Sequence, residues 1–241
     1  MNKFPSPLTT FKRTALMALV PLLAAAAVQA EKTEPKAKEK ITVQAPDSMQ
    51  DANLQDAHVD MLLLIGKDGQ VADFVTLSAP SAELLEPAEA AVQEASFTPG
   101  ENDGTPMPAL LEVKLPVQGG TQDGKAIEEP QYAISNPKNL DQPLKAVEQG
   151  QTYVPSNEEG ERIFGSAVVE FFVDRDGTVR VPRAVKSDDP HITEAAVMTL
   201  RGVHFTEPRI DGKPTAVLVR MPFAYNKPKE EEQQAAQGKQ S

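Results

Sequence analysis

FFVDRDGTVRV, residues 171–181, sets an apolar run on each side of Asp174, Asp176 and Gly177; LLIGKDGQVADF, residues 63–74, repeats the plan around Asp68 and Gly69. Such a stretch is either a metal loop or a turn, and spacing separates the two. A calcium loop of the helix-loop-helix type needs oxygen ligands at positions 1, 3 and 5, glycine at 6 and glutamate at 12. Counted from Asp174, glycine falls at Gly177, too early, and the twelfth position is Val185. The earlier stretch has Gly66 and Lys67 where carboxylates would stand. No metal is expected. Asp and Gly tolerate the positive φ of a tight hairpin, so both stretches are read as two strands joined by a turn.

Working outward, Ala167, Val169, Phe171 and Val173 alternate with Val168, Glu170, Phe172 and Asp174, the period of a strand with one strongly apolar face. TVRVPRAV returns as the second strand. SDDPHITEAAVMTLRG then reads as a helix, with Asp189 as cap, Pro190 at the first helical position and Gly202 closing the end. Ile192, Ala196, Leu200 and Val203 share one face, which should lie on the sheet. FTEPRIDGKP turns the chain again, and TAVLVRMPFAY places Val217, Val219, Met221 and Phe223 on one side of a closing strand.

Residues 61–117 carry the same succession as residues 168–223: DG, V, S, an alanine-rich helix, FT, P, DG, P and a closing strand. In the earlier copy Leu111, Val113, Leu115 and Val117 line that strand. The expected fold class is α+β, in two units, each an antiparallel three-stranded sheet (hairpin, helix, strand) with the helix on one face. Pro116 and Pro222 sit in the closing strands, where a missing amide hydrogen is tolerable at a sheet edge or strand terminus.

The expected boundaries follow composition. Residues 1–30 read as an export signal: Lys3, Lys12 and Arg13 precede an apolar stretch, and Val28 and Ala30 supply small residues for cleavage after Ala30. An uncleaved anchor is the alternative, since Ala15 to Ala30 could just reach across a thin bilayer. Either way the bulk of the chain is expected outside the cytoplasm. Residues 31–45 are expected to be a flexible lead, 46–118 the first and more divergent unit, 119–142 a linker, 143–225 the second unit, and 226–241 a disordered tail.

The 241 residues contain 24 Lys+Arg, 35 Asp+Glu and no cysteine. Disulfides, thiolate metal sites and cysteine nucleophiles are therefore excluded. Without its first thirty residues the chain keeps 21 basic residues against 35 acidic, a formal charge of −14, which disfavours nucleic acid and anionic lipid as partners. His58, His191 and His204 stand in different elements without metal-ligand spacing, and no nucleophile-elbow motif is present. Neither an enzyme nor a cofactor is expected. Ser78 and Ser187, shared by the two copies, read as helix-approach hydroxyls.

The later copy resembles the C-terminal domain of TonB, the periplasmic energy transducer. The residues that carry the likeness are Asp174, Asp176, Gly177, Val179, Ser187, Ala195, Ala196, Val197, Phe205, Pro208, Gly212, Lys213, Pro214 and Phe223, with QTYVP at 151–155 similar to that family's tyrosine-proline segment. The earlier copy keeps Asp68, Gly69, Val71, Ser78, Ala91, Phe97, Pro99, Gly104 and Pro106. Ala95 and Val203 stand where the family commonly has tryptophan, and Val154 is inserted between Tyr153 and Pro155.

The resemblance implies a periplasmic protein-binding module that pairs a strand edge with an extended peptide from an outer-membrane TonB-dependent transporter. By position the implied binding surface is Gln151, Tyr153 and Pro155 together with Val217, Val219, Met221 and Phe223; the same residues read equally as an edge and a core face. Alternatives are a membrane-anchored energy transducer for transmembrane transport and a structural periplasmic scaffold. Transduction would need a long spacer, whereas a lead of this length spans at most roughly 50 Å at ~3.5 Å per residue.

Overall fold

The computed structural model describes residues 32–127 and 130–227. The expected export signal and the tail beyond residue 227 lie outside the described residues. The described chain is mostly strand with two α-helices, an α+β arrangement.

Eight strands form the main sheet: β1 (Val43–Gln44), β2 (His58–Ile65), β3 (Val71–Ala79), β4 (Ala109–Gln118), β5 (Tyr132–Ser135), β6 (Gly165–Val173), β7 (Val179–Ser187) and β8 (Ala216–Tyr225). Their order is β7-β6-β8-β5-β3-β2-β4-β1. Helix α1 (Leu85–Glu94) follows β3, and helix α2 (Pro190–Arg201) follows β7. Instead of the two separate three-stranded sheets expected, β5 joins both hairpins and both closing strands into this one sheet, in which β4 pairs antiparallel with β2 and β8 with β6.

Both DG stretches are turns, and each glycine is needed twice over. Gly69 and Gly177 have φ of 78° and 89°, in the region that disfavours a Cβ. Each also sits against the backbone that follows its helix. The Phe97 N–H donates to Gly69 O at 3.0 Å and the Phe205 N–H to Gly177 O at 2.9 Å. The carboxylates cap their own turns: Asp68 accepts from the Gln70 N–H, and Asp176 from the Thr178 N–H.

Helix α2 starts where the sequence predicts, with Asp189 accepting the His191 N–H at 2.8 Å and Pro190 in the first turn. Gly202 ends it for a different reason from the one expected. Its φ is −92°, so no left-handed cap forms; instead its backbone passes Gly150, and a Cβ added at Gly202 would lie 3.0 Å from Gly150 Cα. Ile192, Ala196 and Leu200 are buried on Ala167, Val169, Phe171 and Val173 as their spacing predicts.

The opposite face of β6 is also covered, which the alternation does not show. Phe172 and Val181 stand apart from the core under α2 and belong to the cluster that contains Val59, Met61, Phe74 and Val75. Burying a side chain of that size is worth about 2–3 kcal/mol. Asp174, 3% exposed, accepts the Tyr132 hydroxyl at 3.1 Å, and Arg175 holds Glu89 of α1 at 2.5 Å. Burial, reinforced by Asp174, pushes the Tyr132 phenol well above its ordinary range, and the bond to Glu89 raises the Arg175 guanidinium. Val181 has φ of 49°, rare for a β-branched residue, at a bulge beside Pro182. Its N–H donates to Asp73 at 2.7 Å, and Arg180 lies over the Phe74 ring.

Two expectations about connecting segments differ from the structure. Residues 31–45, expected as a flexible lead, are paired from Lys32 onward: 32–33 with 101–102, 36–37 with 97–98, and β1 with the end of β4. Pairing uses the backbone, which charge and low apolar content do not reveal; Pro35 and Val43 anchor the segment by burial. Residues 119–142, expected as a linker, contain β5, whose first half runs antiparallel to β3 and whose second half runs parallel to β8. Tyr132, 2% exposed, fixes it there.

Candidate protein-binding edge

Strand β8 is paired along one side only for most of its length. β6 runs beside it from Val217 to Tyr225, whereas on the other side β5 covers only Ala216 and Val217. The 3-10 turn Pro137–Asn139, capped by Asn136, diverts the chain after β5. No other described strand pairs with β8, so its outer side is open from Leu218 to Ala224.

Pro222 sets the phase of that edge. Having no N–H, it belongs to a ladder pair with Val168 that exchanges no hydrogen bonds. Val217, Val219, Met221 and Phe223 therefore turn their amides to β6, and Leu218, Arg220 and Ala224 turn theirs outward. Strand β4, with Pro116 paired to His58 of β2, has the same phase. Val117 donates inward to Ala57 O at 2.9 Å, Gln118 O accepts outward from Ala45 at 2.8 Å, and Pro116 has the parity of Pro222.

The seven residues implied by the resemblance fall into two groups. Val217 is fully buried, and Val219, Met221 and Phe223 pack half-buried against the core under α2. Gln151, Tyr153 and Pro155 are placed with α2 and its flank: the Tyr153 N–H donates to Thr199 Oγ at 3.0 Å, and Pro155 O accepts from Ile163. Tyr153, Val154 and Pro155 line a shallow groove with His191, Glu194 and Met198. The groove and the open edge are thus distinct surfaces.

What the sequence reading missed is the charge on the other face of the sheet. Glu170 of β6 stands directly opposite Arg183 of β7 on one side and Arg220 of β8 on the other. Its Oε1 accepts from Arg183 Nη2 at 2.5 Å and its Oε2 from Arg220 Nε at 2.6 Å. The Arg183 bond foremost, then the Arg220 bond, holds the Glu170 carboxyl below the ordinary glutamate value of 4.5 against the opposing cost of burial. The signal was available: Glu170 is a lone charge in an otherwise apolar strand.

The histidines and the shared serines stay with local structure. His58 contacts Asp60 at 3.6 Å, His191 contacts Asp189, and His204 sits in the short strand 204–205. Ser187 Oγ donates to Asp189 O at 2.8 Å, and Ser78 Oγ to Asp60. Among the described residues no group of three His, Asp or Glu is placed to hold a metal ion, and no helix is long and apolar enough to cross a membrane.

Residues 137–226, the stretch from the turn after β5 to just past β8, match the family model of the Gram-negative bacterial TonB protein C-terminal. Neither a curated protein nor a solved structure matches the chain.

Proposed function

We propose that the chain is a non-enzymatic periplasmic protein-binding module whose β8 edge, from Leu218 to Ala224, takes an extended segment of an outer-membrane transporter as an added strand. The observation that carries this reading is the open side of β8 inside the TonB-like stretch: backbone groups turned outward give affinity without any catalytic constellation. The two copies are read as related units, 46–118 and 143–225, with the first serving as the platform on which the second is held.

An adaptor fits better than an anchored transducer. Among the described residues pairing is already present at Lys32, which leaves only a short stretch of sequence after residue 30 to serve as the long spacer that a transducer would need. Intact mass of the protein recovered from the envelope distinguishes the two: cleavage after Ala30 supports the adaptor, and a full-length mass supports the anchor.

Proline substitution tests the edge itself. Ala224→Pro removes an outward amide and spares the β6 ladder, whereas Val219→Pro removes an inward one. The expected result is that wild type captures a TonB-dependent transporter from envelope extract, Ala224→Pro keeps its melting temperature and loses the capture, and Val219→Pro unfolds. Capture that survives Ala224→Pro places the contact elsewhere.

A further inference from the structure

The charged row across the β7-β6-β8 end of the main sheet is incomplete. Arg183, Glu170 and Arg220 are consecutive cross-strand neighbours on β7, β6 and β8, so the row reads plus, minus, plus and then stops at the open edge. Glu170 is nearly buried, with 4% of its side chain exposed, while Arg220 is 67% exposed. Of the five guanidinium donors of Arg220, Nε is the one bound to Glu170. One carboxylate between two arginines leaves a local excess of one positive charge in a chain of net charge −11.

We infer that the partner strand carries an acidic side chain directly across from Arg220, so that the edge selects an extended peptide of a stated charge. This rests on the proposed edge reading and adds to it the residue that chooses the partner. A strand added to β8 puts one side chain in cross-strand contact with Arg220, and opposite charges there stabilise the pair where like charges repel. Glu170 prepares the site by holding Arg220 through Nε, so the fork is oriented before the partner arrives. The neighbouring positions on the same face are Leu218 and Pro222, which ask for apolar or small groups two residues either side of the acid. The recognised pattern is therefore apolar, any, acidic, any, apolar. On the other face, Val219, Met221 and Phe223 offer apolar neighbours to the intervening residues.

The test uses the full chain and three synthetic nine-residue peptides that alternate valine and threonine, with glutamate, glutamine or lysine replacing the central valine, so that valine stands two residues either side of it. Backbone amide shifts at Arg220 and Ala224 report edge pairing, and the titrations give affinities. The glutamate peptide should bind about fivefold tighter than the glutamine peptide, with the lysine peptide weakest. In Arg220→Gln the three affinities should converge, and in Arg220→Lys the order should return in weaker form. Equal affinities with shifts at both amides overturn the acidic selectivity and leave the edge standing. No shift at either amide with any peptide overturns the edge reading and this inference with it. Sedimentation of a dimer whose Arg220 and Ala224 amides are protected from exchange would assign the edge to a second copy of the chain, and would likewise overturn it.

Discussion

Replacing Gly177 with alanine should cost far more than replacing Gly212, although both have positive φ, 89° and 72°. Gly212 has no atom within 4 Å of an added Cβ, so its substitution isolates the conformational penalty, about 1–2 kcal/mol. At Gly177 the new carbon would come closer than 3.0 Å to the Phe205 carbonyl oxygen, a backbone atom that yields only if the strand moves. Moving it breaks the Phe205 N–H to Gly177 O bond and pulls the Phe205 ring from Phe171, with which it stacks at 5.8 Å. Losing a buried backbone bond adds about 1–3 kcal/mol to that penalty, giving a total of about 2–5 kcal/mol. The chain has no tryptophan, so urea unfolding is followed by far-ultraviolet circular dichroism. Gly69→Ala should behave like Gly177→Ala, because its Cβ meets Phe97 O in the same way. Equal losses for Gly177→Ala and Gly212→Ala would show that φ alone requires the glycine and that the docking of the turn is immaterial.

Three further outcomes are expected. Glu170 has a depressed folded pKa, so its contribution is present above the ordinary value of 4.5 and is lost as pH falls through the lower folded value. Urea unfolding between neutral pH and about pH 3 should therefore show a steeper acid loss in wild type than in Glu170→Gln, which starts lower at neutral pH. Tyr132→Phe removes the hydroxyl that donates to Asp174 but leaves the Arg175 N–H on the same oxygen, so a loss of about 1–2 kcal/mol is expected by urea unfolding. Asp73→Ala leaves the Val181 N–H without its acceptor at a strained φ and takes a carboxylate from beside Arg180. A loss of about 2 kcal/mol is expected, with Val181→Gly in the same background recovering part of it as φ strain is relieved.

The sequence by itself determined what depends on near neighbours along the chain. Asp-Gly spacing excluded the calcium loop and set both hairpins; Asp189-Pro190 set the start of α2; three-to-four-residue spacing put Ile192, Ala196 and Leu200 on one face. Pro222 even carries the hydrogen-bond phase of β8, although that inference needs the identity of its partner strand.

Only the tertiary structure decided what depends on residues far apart. Glu170, Arg183 and Arg220 are 13 and 50 residues apart and meet only because β6 lies between β7 and β8. Gly202 reads as a helix cap, and only the passage of Gly150 across it shows that close approach is its requirement. The polar segments 31–45 and 119–142 look unstructured because their pairing is made by backbone groups that every residue type shares. Phe172 and Asp174 alternate as a solvent face should, yet both are buried, because the second face of β6 is closed by the rest of the main sheet and α1. That closure comes from residues such as Met61, Phe74 and Val75, and from Tyr132, which bonds Asp174 from 42 residues away, and no local period reports either.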